Sequence, residues 1–151
     1  MSLKSKIIGG VAVILIGLQF FQPSPNQSDE VSVIHIERMY AVPPKVKAIL
    51  VRSCYDCHSA STNYPWYSRI QPVAWYIAEH IKKGKATLNF SNFGEYSPRR
   101  QRNKFRAMTA QVKDGEMPLT SYTRMHRHAV LSKADKQVLI TWFGTMEDSI
   151  K

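Results

Sequence analysis

Cys54-Tyr55-Asp56-Cys57-His58 is the stretch around which the chain is organised, and it reads C-x-x-C-H. This spacing is the attachment pattern for a c-type haem. Two thiols three residues apart on one helical turn can each form a thioether with a haem vinyl group. The adjacent histidine can then donate an imidazole nitrogen to the iron as the proximal axial ligand. The chain has only these two cysteines.

Three other uses of a C-x-x-C pair remain as alternatives. A thioredoxin-like redox pair requires a βαβ setting, whereas the flanking sequence has a helical pattern. A zinc site requires four ligands, and no second Cys or His pair has the necessary spacing. A disulfide within C-x-x-C would close a short, strained loop. The motif therefore favours one covalent haem c, with iron as its metal.

The N-terminal segment has the pattern of a targeting or anchoring sequence. Lys4 and Lys6 precede an apolar run over 7–21, and no small-residue cleavage site follows that run. The sequence predicts a signal anchor over 1–22, with a cleaved signal peptide as the alternative. It then predicts a linker over 23–42 and a haem-binding domain over 43–151. The flanking charges predict a single-pass protein of the inner membrane, attached through its N-terminal helix, with the haem domain on the periplasmic side.

The charge balance is strongly basic, with a formal net charge of +10 at pH 7. Outside the cytoplasm nucleic acid is a poor partner. An acidic redox protein is a better one, because opposite charges steer the encounter. The alternative is a solvated basic face that binds no partner.

The pattern from residue 43 onward predicts an all-α domain. Helices are expected to open at Pro43-Pro44, Pro72 and Ser97-Pro98, because proline suits the first turn. The first runs into the motif, with both thiols on its buried face at its C-terminal end. Expected ends and caps are Gly84 for the second helix, Asp114-Gly115 for the third, and a capping box at Ser132 for the last.

The loop after the motif supplies aromatic and basic side chains near the predicted haem. Tyr64 and Tyr67 are expected either to wall the haem pocket or to pack in the core. Arg69 is a candidate partner for a haem propionate, because a guanidinium binds carboxylates in a bidentate manner. A plain surface arginine is the competing interpretation.

Met117 is the preferred sixth ligand of the iron. Its thioether is soft and suits Fe(II), and Pro118 stiffens the loop that presents it. Histidine ligation and an open sixth position stay as alternatives. The remaining candidates are Met108 on a helix face, His80 beside a helix face, and Met125, His126 and His128 in the loop that follows Met117.

Several motifs together resemble those of a small class I cytochrome c and, more specifically, of the bacterial haem-binding domain family. The resemblance to that family runs from Cys54 to about Ser132 and implies a single covalent haem. The matching stretches are Cys54-Tyr55-Asp56-Cys57-His58-Ser59, Tyr64-Pro65-Trp66-Tyr67, Gln71-Pro72 with Trp75 and His80, Leu88-Asn89-Phe90-Ser91 and Gly115-Glu116-Met117-Pro118-Leu119. The cytochrome c fold further implies that Leu50 and Trp142 lie near each other.

These observations predict a membrane-anchored monohaem c-type cytochrome that carries single electrons and has no catalytic residues. Cys54, Cys57, His58 and Met117 would bind the cofactor, and His58 and Met117 would ligate the iron. One alternative is a sensor or peroxidase-like enzyme with an open distal site, served by His126 or Arg124. Another is an accessory haem subunit of a larger complex.

Overall fold

The computed structural model describes residues 2–28 and 32–150, and these contain helices and loops but no strand. The predicted all-α class is therefore confirmed for this part of the chain. Three short 3-10 helices connect the longer elements. The α-helices are α1 (Leu3–Leu18), α2 (Ile36–Met39), α3 (Pro44–Ser53), α4 (Tyr55–His58), α5 (Val73–Thr87), α6 (Pro98–Asp114), α7 (Thr120–Met125) and α8 (Lys133–Ser149).

The hydrophobic core lies between α3, α6 and α8. Helices α6 and α8 form the most extensive helix pair, and α3 packs across α8. The Phe105 ring lies edge-on to Trp142, with ring centroids 5.8 Å apart. Leu50 belongs to the same buried cluster as Trp142, as the resemblance implied. Truncating a ring buried as fully as Phe105 costs about 3–5 kcal/mol in comparable cores.

The predicted boundaries of α6 and α8 are confirmed. Pro98 is the first residue of α6, and Gly115 ends that helix in the left-handed conformation, with φ of 75°. At α8 the Ser132 hydroxyl accepts a hydrogen bond from the Asp135 N–H at 3.0 Å. The Asp135 carboxylate in turn accepts one from the Ser132 N–H at 3.0 Å. The end of α6 and the start of α8 are thus determined by local chemistry that is visible in the sequence.

Helix α5 does not end at Gly84, as the sequence predicted, but continues to Thr87. Glycine inside a helix usually destabilises it relative to alanine, so its presence here calls for a packing reason. That reason is the close approach of α5 to α4 at this residue.

Helix α1 corrects the prediction of a transmembrane anchor. It spans 16 residues, which is about 24 Å, whereas a bilayer core is about 30 Å thick. Within residues 2–28 and 32–150, no helix is long and apolar enough to cross a membrane. This finding overturns the single-pass placement in the inner membrane, with the haem domain on the periplasmic side.

Residues 19–26 lie against the body of the protein through polar contacts. The Asn26 side-chain nitrogen donates to the Ser59 carbonyl and to the Thr62 hydroxyl, each at 2.9 Å. Its side-chain oxygen accepts from Lys85 at 2.5 Å. The Tyr64 hydroxyl accepts from the Asn26 N–H at 2.8 Å. The N-terminal segment is therefore fixed to the loop that follows the C-x-x-C-H motif.

Candidate functional site

The C-x-x-C-H motif lies at a break between two helices. Helix α3 ends at Ser53, and Cys54 has a φ of −130°, which is outside the helical range. A single turn, α4, then carries Cys57 and His58. The two thiols therefore lie at a bend, and not on one continuous helix face as predicted. Both cysteines are free in the structure.

Both thiols are protonated at neutral pH. Burial is the main cause that raises the pKa of Cys54 to about 12 and that of Cys57 to about 11. The neighbouring Asp56 carboxylate adds to the effect at Cys57. A thiol held in this form is a poor nucleophile and a poor ligand for a cation. Within residues 2–28 and 32–150, no group of three or more Cys, His, Asp or Glu could hold a metal ion.

The hydrogen bonds of His58 determine its tautomer. Its Nδ1 lies 3.0 Å from the carbonyl oxygen of Gly84 and 3.0 Å from that of Leu88. Carbonyl oxygens only accept hydrogen bonds, so Nδ1 must carry the proton and Nε2 must carry a lone pair. Burial lowers the pKa of His58, although the two carbonyls oppose this effect. Such orientation by a neighbouring carbonyl is typical of a metal-ligating histidine.

Gly84 allows α5 to reach both Cys57 and His58. A Cβ at this position would lie 2.5 Å from the Cys57 carbonyl oxygen. Only glycine permits this approach, and it brings the carbonyls of residues 84 and 88 within reach of the His58 ring. The helix-stop interpretation of Gly84 was wrong because the residue serves packing instead.

The segment after α5 holds His58 from the other side. The Phe90 N–H donates to the His58 carbonyl at 2.7 Å. The two rings meet edge-on, with centroids 6.3 Å apart. The Ser91 hydroxyl accepts from the Ala60 N–H at 2.9 Å. The Leu88-Asn89-Phe90-Ser91 stretch therefore supports the motif through the Phe90 backbone and ring and through the Ser91 hydroxyl, a role that the sequence pattern did not reveal.

Three cavities of about 290, 250 and 140 Å³ lie along the motif, and the 250 Å³ cavity shares lining residues with each of the other two. The three together are called the cleft. Their exposed lining is mostly apolar. His58 and Met117 both line the 290 and 250 Å³ cavities, and so does Cys54. Cys57 lines the 250 and 140 Å³ cavities. The four predicted cofactor-binding residues therefore come together on one cleft.

Met117 lies in the turn between α6 and α7. The N–H groups of Glu116 and Met117 both donate to the Gln111 carbonyl, at 3.0 and 3.2 Å. These bonds fix the backbone that presents Met117 to the cleft. The Met117–Pro118 peptide bond is cis.

The other candidates for the sixth ligand are placed less favourably than Met117 relative to His58. Met108 lines the 290 Å³ cavity but belongs to the core cluster. His80, Met125 and His126 line the 140 Å³ cavity, and of these only His80 also lines the 250 Å³ cavity that contains Met117. His126 Nε2 lies 3.3 Å from the Tyr67 hydroxyl. His128 and Arg124 are absent from the lining of the cleft.

Tyr64 and Tyr67 line the 140 Å³ cavity, as the pocket-wall interpretation expected. Arg69 does not line the cleft but faces a separate cavity together with Gln22. Lys83 and Lys104 are the cationic side chains of the cleft. They are better placed than Arg69 to pair with carboxylates of a bound group.

A hydrogen bond that the sequence did not reveal joins the motif to α7. The Tyr122 hydroxyl donates to the Asp56 carboxylate at 2.6 Å, across 66 residues of sequence. Burial and this carboxylate raise the pKa of Tyr122, so its hydroxyl keeps its proton. No motif signals such a contact, because neither residue is unusual in its local sequence.

These residues fit a haem. An imidazole with a free Nε2 lone pair faces the same cavities as a thioether, and two thiols adjoin it. Ser53 lines both of these cavities, and its buried hydroxyl has no hydrogen-bond partner, as is expected of a polar atom beside the site of a bound group. The apolar cleft is also of the right order of size for a cofactor.

Comparison with known proteins agrees with this geometry. Residues 13–145 match the family model described as a haem-binding domain. No curated protein and no solved structure matches the chain. The chain belongs to the haem-binding domain family and is a haem protein.

Proposed function

We propose that this protein is a monohaem c-type cytochrome that carries single electrons, with His58 and Met117 as axial ligands. The observation that carries the proposal is the tautomer of His58. Its Nδ1 proton is held between two carbonyls, and Met117 lines the same two cavities as this ring. A nitrogen and a thioether sulfur are the axial donors of many electron-transfer haems.

Cys54 and Cys57 would attach the cofactor covalently. Each thiol would add across one vinyl group, so that sulfur would bond to one vinyl carbon and the thiol hydrogen would go to the other. No oxidant or reductant is consumed. Because Cys54 lies at the bend between α3 and α4 and Cys57 directly precedes His58 in α4, the attached group would be held next to His58.

When bound, the haem supplies one-electron chemistry at its iron. The chain supplies orientation, an apolar cleft that limits water, and a soft thioether that favours the reduced state. His126 is poorly placed as a general acid or base, because it lines only the 140 Å³ cavity, which neither His58 nor Met117 lines. This arrangement supports an electron carrier over an enzyme.

The same proposal assigns an acidic redox protein as the partner. The chain has a formal net charge of +10, and Lys83 and Lys104 lie at the cleft. Opposite charge on a partner would speed the encounter at low ionic strength. The rate of electron transfer should therefore fall as salt is added.

The absorption spectrum of the oxidised protein tests the proposal. We expect a weak sulfur-to-iron charge-transfer band in the far red that is lost in Met117→Ala. Met125→Ala is the matched control, because Met125 is 63% exposed, and it should keep the band. Cys54→Ala/Cys57→Ala should lose haem colour on a denaturing gel.

Two results would contradict the proposal. Haem that stays with the doubly substituted chain on the gel would exclude covalent attachment. A high-spin wild-type spectrum with fast carbon monoxide binding after reduction would mean an open sixth position. The sensor or peroxidase-like alternative would then replace the electron carrier.

A further inference from the structure

The side of the cleft that bears Met117 continues directly into α7, and α7 contributes no buried residue. Apolar packing therefore does little to fix this wall. Thr123 N–H donates to the Leu119 carbonyl at 3.0 Å, which closes the first turn of α7 close behind Met117. Whatever holds α7 in place also holds the segment that carries the proposed sixth ligand.

The opposite side of the cleft is α4, and Asp56 on it is well fixed. One carboxylate oxygen accepts from the Asn63 N–H at 3.0 Å. The Asp56 carbonyl accepts from the Thr62 hydroxyl at 2.6 Å. The second carboxylate oxygen is left for Tyr122, whose hydroxyl donates at 2.6 Å. Asp56 is thus an anchor that lies two residues before His58.

Tyr122 is itself held in one orientation. Its ring stacks on that of His126, with centroids 4.2 Å apart and planes 21° from parallel. The Tyr122 carbonyl accepts from the His126 N–H at 2.9 Å. A ring fixed in this way directs its hydroxyl at Asp56 with little loss of side-chain freedom.

We propose that the Asp56–Tyr122 hydrogen bond positions Met117 to ligate the iron. We call this bond the latch. The inference rests on the proposed function. The bond joins the helix of the proximal histidine to the helix that follows the distal methionine. Because it goes to a charged acceptor, it is of the stronger kind. Both residues are positioning residues, since neither is proposed to touch the cofactor.

The test compares five variants of the full, haem-loaded chain, one of which combines Tyr122→Phe with Asp56→Ala. Tyr122→Phe removes one hydroxyl and leaves the ring, and Asp56→Ala removes the acceptor. Asp56→Asn is the conservative variant, because its amide can still accept from Asn63 and donate to the Tyr122 oxygen. Tyr40→Phe is the matched control, since it removes a tyrosine hydroxyl that donates to Gln101 and lies outside the lining of the cleft.

The readouts are the sulfur-to-iron band and the rate at which the reduced protein binds carbon monoxide, which requires Met117 to leave. A charged hydrogen bond corresponds to roughly a tenfold effect or more. We expect Tyr122→Phe to speed carbon monoxide binding and to weaken the band. Asp56→Ala should act at least as strongly, because it also removes the bond to Asn63. The double variant should be no faster than Asp56→Ala, Asp56→Asn should lie between Asp56→Ala and wild type, and Tyr40→Phe should stay near wild type.

Each contrary result has a distinct meaning. A wild type without the band refutes the proposed function, and the latch with it. A wild type with the band whose Tyr122→Phe variant binds carbon monoxide no faster overturns the latch alone. If the two single effects on the rate of carbon monoxide binding multiply in the double variant, the two residues act separately. This result also overturns the latch.

Discussion

Gly84 of α5 and Cys57 of α4 are in such close contact that a Cβ on Gly84 would lie 2.5 Å from the Cys57 carbonyl oxygen. Backbone oxygen is not the end of a flexible side chain, so it cannot move aside without moving α4. The same crossing brings the Gly84 carbonyl to 3.0 Å from His58 Nδ1. One glycine therefore determines both the helix packing and the orientation of the proposed ligand.

We expect Gly84→Ala to lower the free energy of unfolding by about 1–3 kcal/mol, because it overpacks the crossing. The variant should also retain less haem. Urea denaturation and haem content per chain measure the two effects. Gly144→Ala on α8 is the control, since a Cβ there meets nothing within 4 Å. It should stabilise the protein by about 0.5–1 kcal/mol, and equal behaviour of the two variants would refute the packing argument.

The stability of the protein should fall on acidification through His35. Its Nδ1 accepts a hydrogen bond from the Glu37 N–H at 3.2 Å and must therefore be unprotonated. Burial is the main cause that lowers the pKa of His35 from 6.5, against the opposing charge of Glu37. The unfolded chain then binds a proton near pH 6.5 while the folded chain does not. The free energy of unfolding should accordingly decrease as the pH falls below 6.5.

Urea denaturation of wild type and His35→Asn between pH 5 and 8, a window about the ordinary histidine pKa, measures this effect. Asparagine keeps a side-chain acceptor at the start of α2 but does not titrate. The variant should therefore lose less stability on acidification than wild type. The comparison cancels the contribution of every other histidine, and parallel pH profiles would contradict the assignment to His35.

Asn26→Ala should release the N-terminal segment from the body of the protein. The change removes the side-chain bonds to the Ser59 carbonyl, the Thr62 hydroxyl and Lys85. We expect the free energy of unfolding to drop by about 1–3 kcal/mol, because partly buried partners are left unsatisfied. Gln22→Ala breaks only exposed hydrogen bonds and should change it by less than about 0.5 kcal/mol. A similar loss in the free energy of unfolding in both variants would mean that Asn26 does not hold the N-terminal segment more strongly than Gln22 does.

The two thiols should be unreactive in the folded chain before haem is attached. With pKa values raised to about 12 for Cys54 and about 11 for Cys57, almost no thiolate exists at pH 8. Iodoacetamide should label both at least about tenfold more slowly than it labels the same chain in denaturant. Mass spectrometry of the haem-free protein follows the labelling, and equal rates would show that burial does not control the thiols.

Local chemistry made part of the fold predictable. Gly115 and the Ser132 capping box ended and began helices as expected, because each acts within a few residues of its own position. The apolar run over 7–21 indicated a helix, but the observed helix ends at Leu18. The 16 residues of the observed helix are too few to cross a bilayer.

The candidate site was only partly predictable for the same reason. The C-x-x-C-H motif identified Cys54, Cys57 and His58 without any knowledge of the fold. The residues that orient the site, Gly84 and Tyr122, come from helices 26 and 66 residues away in sequence. Such contacts depend on how helices cross, which no periodicity encodes. This is why Gly84 was interpreted as a helix end.

The absence of buried residues from α7 has a consequence for how the cofactor enters. The α3, α6 and α8 core contains fully buried side chains such as Leu50, Phe105 and Phe143, whereas α7 has no buried side chain and is joined to α4 by the Asp56–Tyr122 hydrogen bond. Segments of the second kind open by local unfolding at much lower free energy than the whole domain. We therefore expect residues 116–125 to unfold locally and let haem into the cleft, so that uptake of haem does not require the core to unfold.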